Sequence, residues 1–342
     1  MRNPNRPAGI LSDPARRQPN RTSHLMEFTM SKYRKHLPQL KDQLFMTDGG
    51  LETTLIFHNH IDLPYFAAFD LLKDAEGTAI LERYYADYAE MARSRGIGLV
   101  LEAPTWRANA DWAAKLGYDA VTLADANRKA ISLMLRIRDA YETPQTRIVI
   151  SGCLGPRGDG YAPSAMMTAA EAQAYHAPQI ATFAQTDADM VAAFTMNYVE
   201  EAIGMVVAAK ACGMPVAISF TLETDGRLPS GDSLQQAIAR TDDASGTYPA
   251  YYMINCAHPS HFDAVLQDGG AWRQRIRGLR ANASRRSHAE LDESINLDDG
   301  NPAELGLEYK ALQAKLPRMT VVGGCCGTDH RHVEAICHAL QG

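Results

Sequence analysis

The stretch V-E-E-A-I-G-M-V-V-A-A-K-A-C-G-M-P-V-A-I-S-F, Val199–Phe220, decides how the chain is read. Val199–Ala211 has the period of a helix. A-C-G-M-P follows at Ala211–Pro215, with a glycine where helices stop and a proline that helices do not pass. Val216–Phe220 is then a short apolar run, the composition of a strand buried on both faces. The unit is a helix, a stop and a buried strand.

The unit recurs. Strand-like runs lie at Leu44–Asp48, Gly98–Ala103, Arg147–Gly152, Met190–Thr195, Val216–Phe220, Tyr252–Cys256, Ile276–Asn282 and Met319–Gly323. Helical patterns lie at Thr78–Ser94, Ala169–Gln185, Val199–Ala211, Ser233–Arg240, Pro302–Leu316 and His330–Leu340. R-G-I-G at Arg95–Gly98 repeats the glycine stop. Alternating strands and helices imply a parallel sheet. Eight repeats in roughly 300 residues predict a single-domain α/β fold, the (β/α)8 TIM barrel. No G-x-G-x-x-G follows the first run, which disfavours a doubly wound dinucleotide-binding sheet.

The barrel is expected over residues 36–342. Residues 1–35 differ: Arg2, Arg6, Arg16, Arg17 and Arg21 alternate with Pro, Asn and Ser, with no apolar core of a secretory signal. They are read as a disordered tail, or as the product of an upstream start codon with Met26 or Met30 as the true start. The chain is 46% hydrophobic, which fits a sizeable core, and its net charge of −6 offers no basic field for nucleic acid. No apolar run is long enough to span a membrane. Six cysteines without a signal peptide point to a reducing compartment, hence a cytoplasmic location, rather than to a disulfide framework.

In such a barrel the functional groups gather at the C-terminal ends of the strands. There the sequence places Asp48, Glu102, Thr105, Cys153, Thr195, Asn197, Thr221, Glu223, Asn255, Cys256, Asn282, Cys325 and Cys326. Neighbouring Cα atoms are about 3.8 Å apart, below the roughly 4.4–6.8 Å of a disulfide, so Cys325 and Cys326 are not expected to bridge each other. With Gly323, Gly324 and Gly327 freeing the backbone, both thiolates can turn toward one metal ion, and Cys256 can supply a third. Three thiolates and an open fourth position describe a catalytic zinc. Such a zinc carries a net negative charge. It is a poor Lewis acid for hydrolysis but well suited to holding an incoming thiol as thiolate. A buried apolar role competes with this reading for any cysteine, and is the expected one for Cys153, Cys212 and Cys337.

M-T-D-G-G-L-E-T-T-L (Met46–Leu55), I-N-C-A-H-P (Ile254–Pro259) and V-V-G-G-C-C-G-T (Val321–Thr328) resemble the homocysteine S-methyltransferase family, over about Leu44–Leu340. That family includes betaine–homocysteine methyltransferases and the homocysteine domain of cobalamin-dependent methionine synthase. The resemblance implies zinc (Zn2+) held by Cys256, Cys325 and Cys326, with homocysteine sulfur as fourth ligand and methionine as product. It implies that Asp48, beside Gly49, helps bind the substrate ammonium. Asn255 is expected to orient a ligand, donate to a substrate carboxylate or shape a turn. Thr105 keeps a family threonine after the second strand. No catalytic side chain is expected beyond the zinc-bound substrate thiolate.

Two departures stand out. The family's F-E-T or A-E-T at the end of strand four, whose Glu helps hold the amino group, is replaced by A-F-T, which puts Phe194 at the Glu position. After strand two the family's T-N-T-Y-Q-A becomes A-P-T-W-R-A, preceded by Glu102. Glu102 is read either as a replacement carboxylate or as the partner of Arg107. Trp106 is read as a packing residue or as a cation–π face for a methylated donor. His258, His261 and His330 lie near the ligands in sequence, and none is assigned a catalytic role. The partners implied are a small-molecule thiol and a methyl donor, which the sequence leaves open among S-adenosylmethionine, S-methylmethionine, betaine and a methylated corrinoid. Oligomeric state is also open. The alternatives are a methyltransferase for another thiol, or a repurposed zinc-binding barrel.

Overall fold

A computed structural model describes residues 31–163, 165–292 and 296–342. Eight parallel strands close into a barrel in sequence order. They are β1 (Phe45–Met46), β2 (Gly98–Glu102), β3 (Ile148–Leu154), β4 (Met190–Met196), β5 (Val216–Thr221), β6 (Tyr251–Asn255), β7 (Ile276–Ala281) and β8 (Val321–Gly324), and β1 pairs with both β2 and β8. Each falls on a run read as a strand from sequence.

Strand alternation divides the core in two. Val100, Val149, Met190, Ala192, Phe194, Ala217, Tyr251, Met253 and Val321 form a cluster that fills the barrel. Leu99, Leu101, Ile148, Ile150, Val191, Val216, Ile218 and Leu279 belong to a second cluster, which includes buried faces of the surrounding helices. The order of charges on β7 breaks this plan: Arg280 sits inside the barrel wall and is buried.

The helices largely follow the sequence patterns, as in Ala75–Arg95, Ala169–Ala184 and His330–Gln341. Ala75–Arg95 starts on Asp74, whose carboxylate accepts from Gly77 N–H, and ends at left-handed Gly96 (φ 63°). The helix Ala120–Tyr141 is additional to the sequence reading, and its 22 residues make it the longest described helix. Its signals are a capping box of Asp119 and Thr122 and buried Ala126, Ala130, Leu133, Met134 and Ile137 at helical spacing.

Residues 1–30, most of the segment read as a tail, lie outside the described residues. Just ahead of residue 36 the chain already packs on the barrel base: Tyr33 N–H donates to Asp189 (2.7 Å), and Arg34 donates to the carbonyls of Ala184, Thr186 and Ala188. Among the described residues no helix is long and apolar enough to cross a membrane.

Candidate metal centre and substrate pocket

The sulfurs of Cys256, Cys325 and Cys326 converge at the mouth of the barrel, all within 4.8 Å of one another. Cys256 follows β6 and the vicinal pair follows β8. The sulfurs of Cys256 and Cys325 are in direct contact, with Cα atoms 5.5 Å apart. A metal would take all three as thiolates.

Local backbone geometry makes the convergence possible. Gly327 takes φ 79°, turning the chain after the pair. A Cβ at Gly50 would lie 2.6 Å from the Cys325 carbonyl oxygen, so the D-G-G turn can approach the cysteine loop only as glycine. The two loops are stitched together: Gly50 N–H donates to Thr328 Oγ1 (3.1 Å), Gly324 N–H to the Asp48 carbonyl (3.0 Å) and Gly327 N–H to Thr53 Oγ1 (3.1 Å). Cys256 itself has φ 52° and Thr195, across from it, φ 60°. Left-handed backbone at two non-glycine residues, one β-branched, is strain held by its surroundings.

Asn255 is what holds it. Its Oδ1 accepts from Thr195 N–H (3.0 Å) and Ser219 Oγ (2.6 Å), and its Nδ2 donates to Thr195 Oγ1 (3.0 Å) and Cys256 Sγ (3.1 Å). The amide is thus engaged wholly by protein. Tyr161, from the loop after β3, puts its hydroxyl 3.5 Å from Cys326 Sγ and stacks on His288 (4.0 Å between centroids). His288 in turn reaches the Cys256 carbonyl and Glu223 Oε1 (3.3 Å). Three sulfurs with N–H and O–H groups directed at them form a soft, anionic donor set of the kind zinc prefers. The residues present therefore fit the ion.

His258, His261 and His330 stand apart from this arrangement. His258 caps Pro259–Phe262 and faces Glu308, and burial lowers its pKa to about 4, so it is neutral at pH 7. His261 bonds the Arg285 carbonyl, and His330 is exposed.

Beneath the sulfurs lies a buried charge cluster. Arg280 pairs with Asp48 (2.7 Å) and donates to the carbonyls of Gly324 and Gly49 (both 2.9 Å). Tyr84 donates to the other Asp48 oxygen (3.0 Å). Burial raises the Asp48 carboxyl pKa, opposed by Arg280 and Tyr84. Burial lowers that of Arg280, but Asp48 and Glu102 outweigh it and hold the guanidinium up. The Asp48 carboxylate, expected to meet a substrate ammonium, already has a resident cation. Phe194, at the expected Glu position, faces the same guanidinium, 5.1 Å from its ring centre.

Glu102 is also inside the barrel. Both its oxygens are buried without a hydrogen-bond partner, as is Ser151 Oγ. Its expected alternative, a bridge to Arg107, is not formed. Arg107 lies between the rings of Trp106 and Trp112, 4.0 Å from each centre, and donates to the Gly158 carbonyl (3.1 Å). One cation therefore already covers the Trp106 ring. Thr105 donates to the Cys153 carbonyl (2.7 Å), which ties β2 to β3.

Burial, opposed mainly by Arg280, raises the Glu102 carboxyl from 4.5 to about 7. The folded pKa lies above the unfolded one, so the carboxyl costs nothing below pH 4.5, and stability falls as pH rises to about 7. The full penalty is about 3 kcal/mol. Glu102→Gln is expected to match the parent in urea unfolding at pH 4.5 and to exceed it by up to that amount at pH 8. A pH-independent difference would contradict the assignment.

The profile of the family described as homocysteine S-methyltransferase matches residues 45–340. Among solved structures, the chain is similar to the homocysteine methyltransferase MmuM from Escherichia coli. Against its oxidised form the TM-score is 0.68 at 20% identity, covering 88% of this chain and 97% of that one. Against the metallated form it is 0.66 at 17%, covering 87% and 96%. At such identities the likeness speaks for the barrel alone. No curated protein matches the chain. It is the profile, spanning every strand from β1 to β8 and all three converging cysteines, that settles the family: the chain belongs to the homocysteine S-methyltransferases and is a methyltransferase.

Proposed function

We propose that this protein transfers a methyl group to a thiol in a zinc-dependent reaction, with homocysteine as the acceptor and methionine as the product. The observation that carries the proposal is the convergence of Cys256, Cys325 and Cys326 at the barrel mouth, within 4.8 Å of one another, in a chain of this family. Zinc, when bound, lowers the pKa of a thiol that joins it, so that the thiol is nucleophilic at neutral pH.

The chain's own residues supply positioning and polarity. Cys256, Cys325 and Cys326 would hold the ion. Asn255 Nδ2 and the Tyr161 hydroxyl face two of the sulfurs and temper their charge. The barrel below is packed with side chains, so the reacting groups must meet at the mouth. No general base is required, because the acceptor's proton can leave to solvent on binding. A sulfonium or quaternary ammonium methyl carbon is the soft electrophile that such a thiolate attacks in line.

Asn255→Asp tests the tempering role. It keeps the shape but replaces an N–H donor by an anion beside Cys256 Sγ. Zinc affinity, measured by competition with a chromophoric chelator, is expected to fall about 10–100-fold. Unchanged affinity would remove Asn255 from the metal's surroundings.

A second reading, a methyltransferase for a thiol other than homocysteine, is favoured by Phe194 and by the pairing of Asp48 with Arg280. Both are tested by assaying reduced, zinc-loaded protein with homocysteine and other thiols against S-adenosylmethionine, S-methylmethionine and betaine. Methionine formation supports the first reading. Methylation of only another thiol supports the second, and no methylation of any thiol overturns both.

A further inference from the structure

Asp48, expected to meet the ammonium of an amino-acid substrate, is already paired with Arg280. Two groups at the mouth have the charges an amino acid needs and have not used them on each other. Glu52 lies in the turn that starts at Leu51, the turn whose Thr53 receives the Gly327 N–H of the cysteine loop. It is half-buried, and its carboxylate makes no hydrogen bond or ion pair with another described residue. Arg107 is buried between Trp106 and Trp112, and its Nε has no hydrogen-bond partner.

Both groups are tied to the cysteine loop through their neighbours. Arg107 is held by the Gly158 carbonyl, at the start of the short segment that ends in Tyr161, and the Tyr161 hydroxyl touches Cys326 Sγ (3.5 Å). Arg107 and Glu52 lie within each other's electrostatic reach. We infer that Glu52 and Arg107 form the amino-acid clamp of this enzyme, Glu52 receiving the α-ammonium of the thiol substrate and Arg107 its α-carboxylate. Glu52 would thereby do the work of the strand-four Glu that Phe194 replaces. The inference rests on the homocysteine reading above.

The charge environment agrees. Burial, and beyond it Asp48, push the Glu52 carboxyl up to about 7 against the pull of its own backbone N–H and of Arg280 and Arg107, and an arriving ammonium would favour its charged form. Arg107, brought down to about 10 by burial, keeps its charge at neutral pH.

The test uses reduced, zinc-loaded full-length protein and thiol binding by calorimetry, with homocysteine, 4-mercaptobutanoate (no ammonium) and 3-aminopropanethiol (no carboxylate). Glu52→Gln is expected to weaken homocysteine and 3-aminopropanethiol by about tenfold or more and leave 4-mercaptobutanoate unchanged, since a lost charge-assisted hydrogen bond is worth at least that factor. Arg107→Gln is expected to weaken homocysteine and 4-mercaptobutanoate and spare 3-aminopropanethiol. Equal zinc content and equal melting temperature establish that a variant is folded, and Glu52→Gln decides alone if Arg107→Gln is not. Loss of affinity for all three thiols alike, or for none, overturns the clamp. Failure of homocysteine to bind the parent protein instead overturns the reading on which the clamp rests.

Discussion

Cys326→Ala is expected to lose both zinc and methyl transfer. Cys325 and Cys326 leave β8 on one short loop, and Cys256 arrives from β6, so each supplies a sulfur that no neighbouring side chain can replace. Among the described residues this is the only group of three or more His, Cys, Asp or Glu arranged to hold a metal ion. With two sulfurs left, the ion would retain too few protein ligands for a catalytic zinc, which ordinarily has three. Affinity is expected to fall by at least about 100-fold, and turnover with it. Cys212→Ala is the control, because Cys212 ends the helix Val199–Ala211 and stands outside the cluster. It should keep full zinc and full turnover. Stoichiometric zinc with undiminished turnover in Cys326→Ala would refute the ligand assignment.

The second large effect concerns Arg280. Its guanidinium is the cation nearest two buried carboxyl groups, those of Asp48 and Glu102. Removing one partner of a buried ion pair leaves an uncompensated charge, at a cost of about 3–5 kcal/mol. Arg280→Met keeps much of the volume and isolates the charge effect. Urea unfolding at pH 8 should show a loss of that size. The sign of the pH dependence follows from the same cluster. Without Arg280 both carboxyls titrate higher, and protonation relieves them, so the deficit should shrink at pH 5. A variant as stable as the parent at pH 8 would mean that Arg280 is not the counter-charge.

Much of the fold was legible from local pattern. Buried parallel strands are apolar on both faces, so they stand out from amphipathic helices without long-range information. Ala120–Tyr141 carries the same signals, with Asp119 and Thr122 at its start and buried apolar residues at helical spacing, so it too is legible although the reading above omits it. The three cysteines were legible because chain order around a barrel fixes which strand ends share a rim. The rest of the pocket depends on where side chains turn. Arg280 could have been flagged, since I-R-G-L-R-A is an unusually charged sequence for a buried parallel strand. Its pairing with Asp48 could not, because it joins residues of β7 and the β1 loop. Tyr161 and His288 lie in loops whose spacing carries no signal for their stacking. Glu52 stood in plain sight within D-G-G-L-E-T. Only the structure separates it from Asp48, by pairing Asp48 with Arg280 and giving Glu52 no ion pair with another described residue.

Zinc K-edge X-ray absorption of the reduced protein, with and without homocysteine, tests the central claim most directly. The account predicts three sulfur ligands at about 2.3 Å in the protein alone and a fourth when homocysteine is added. An unchanged first shell on saturation with homocysteine, or a shell dominated by nitrogen and oxygen, would contradict it.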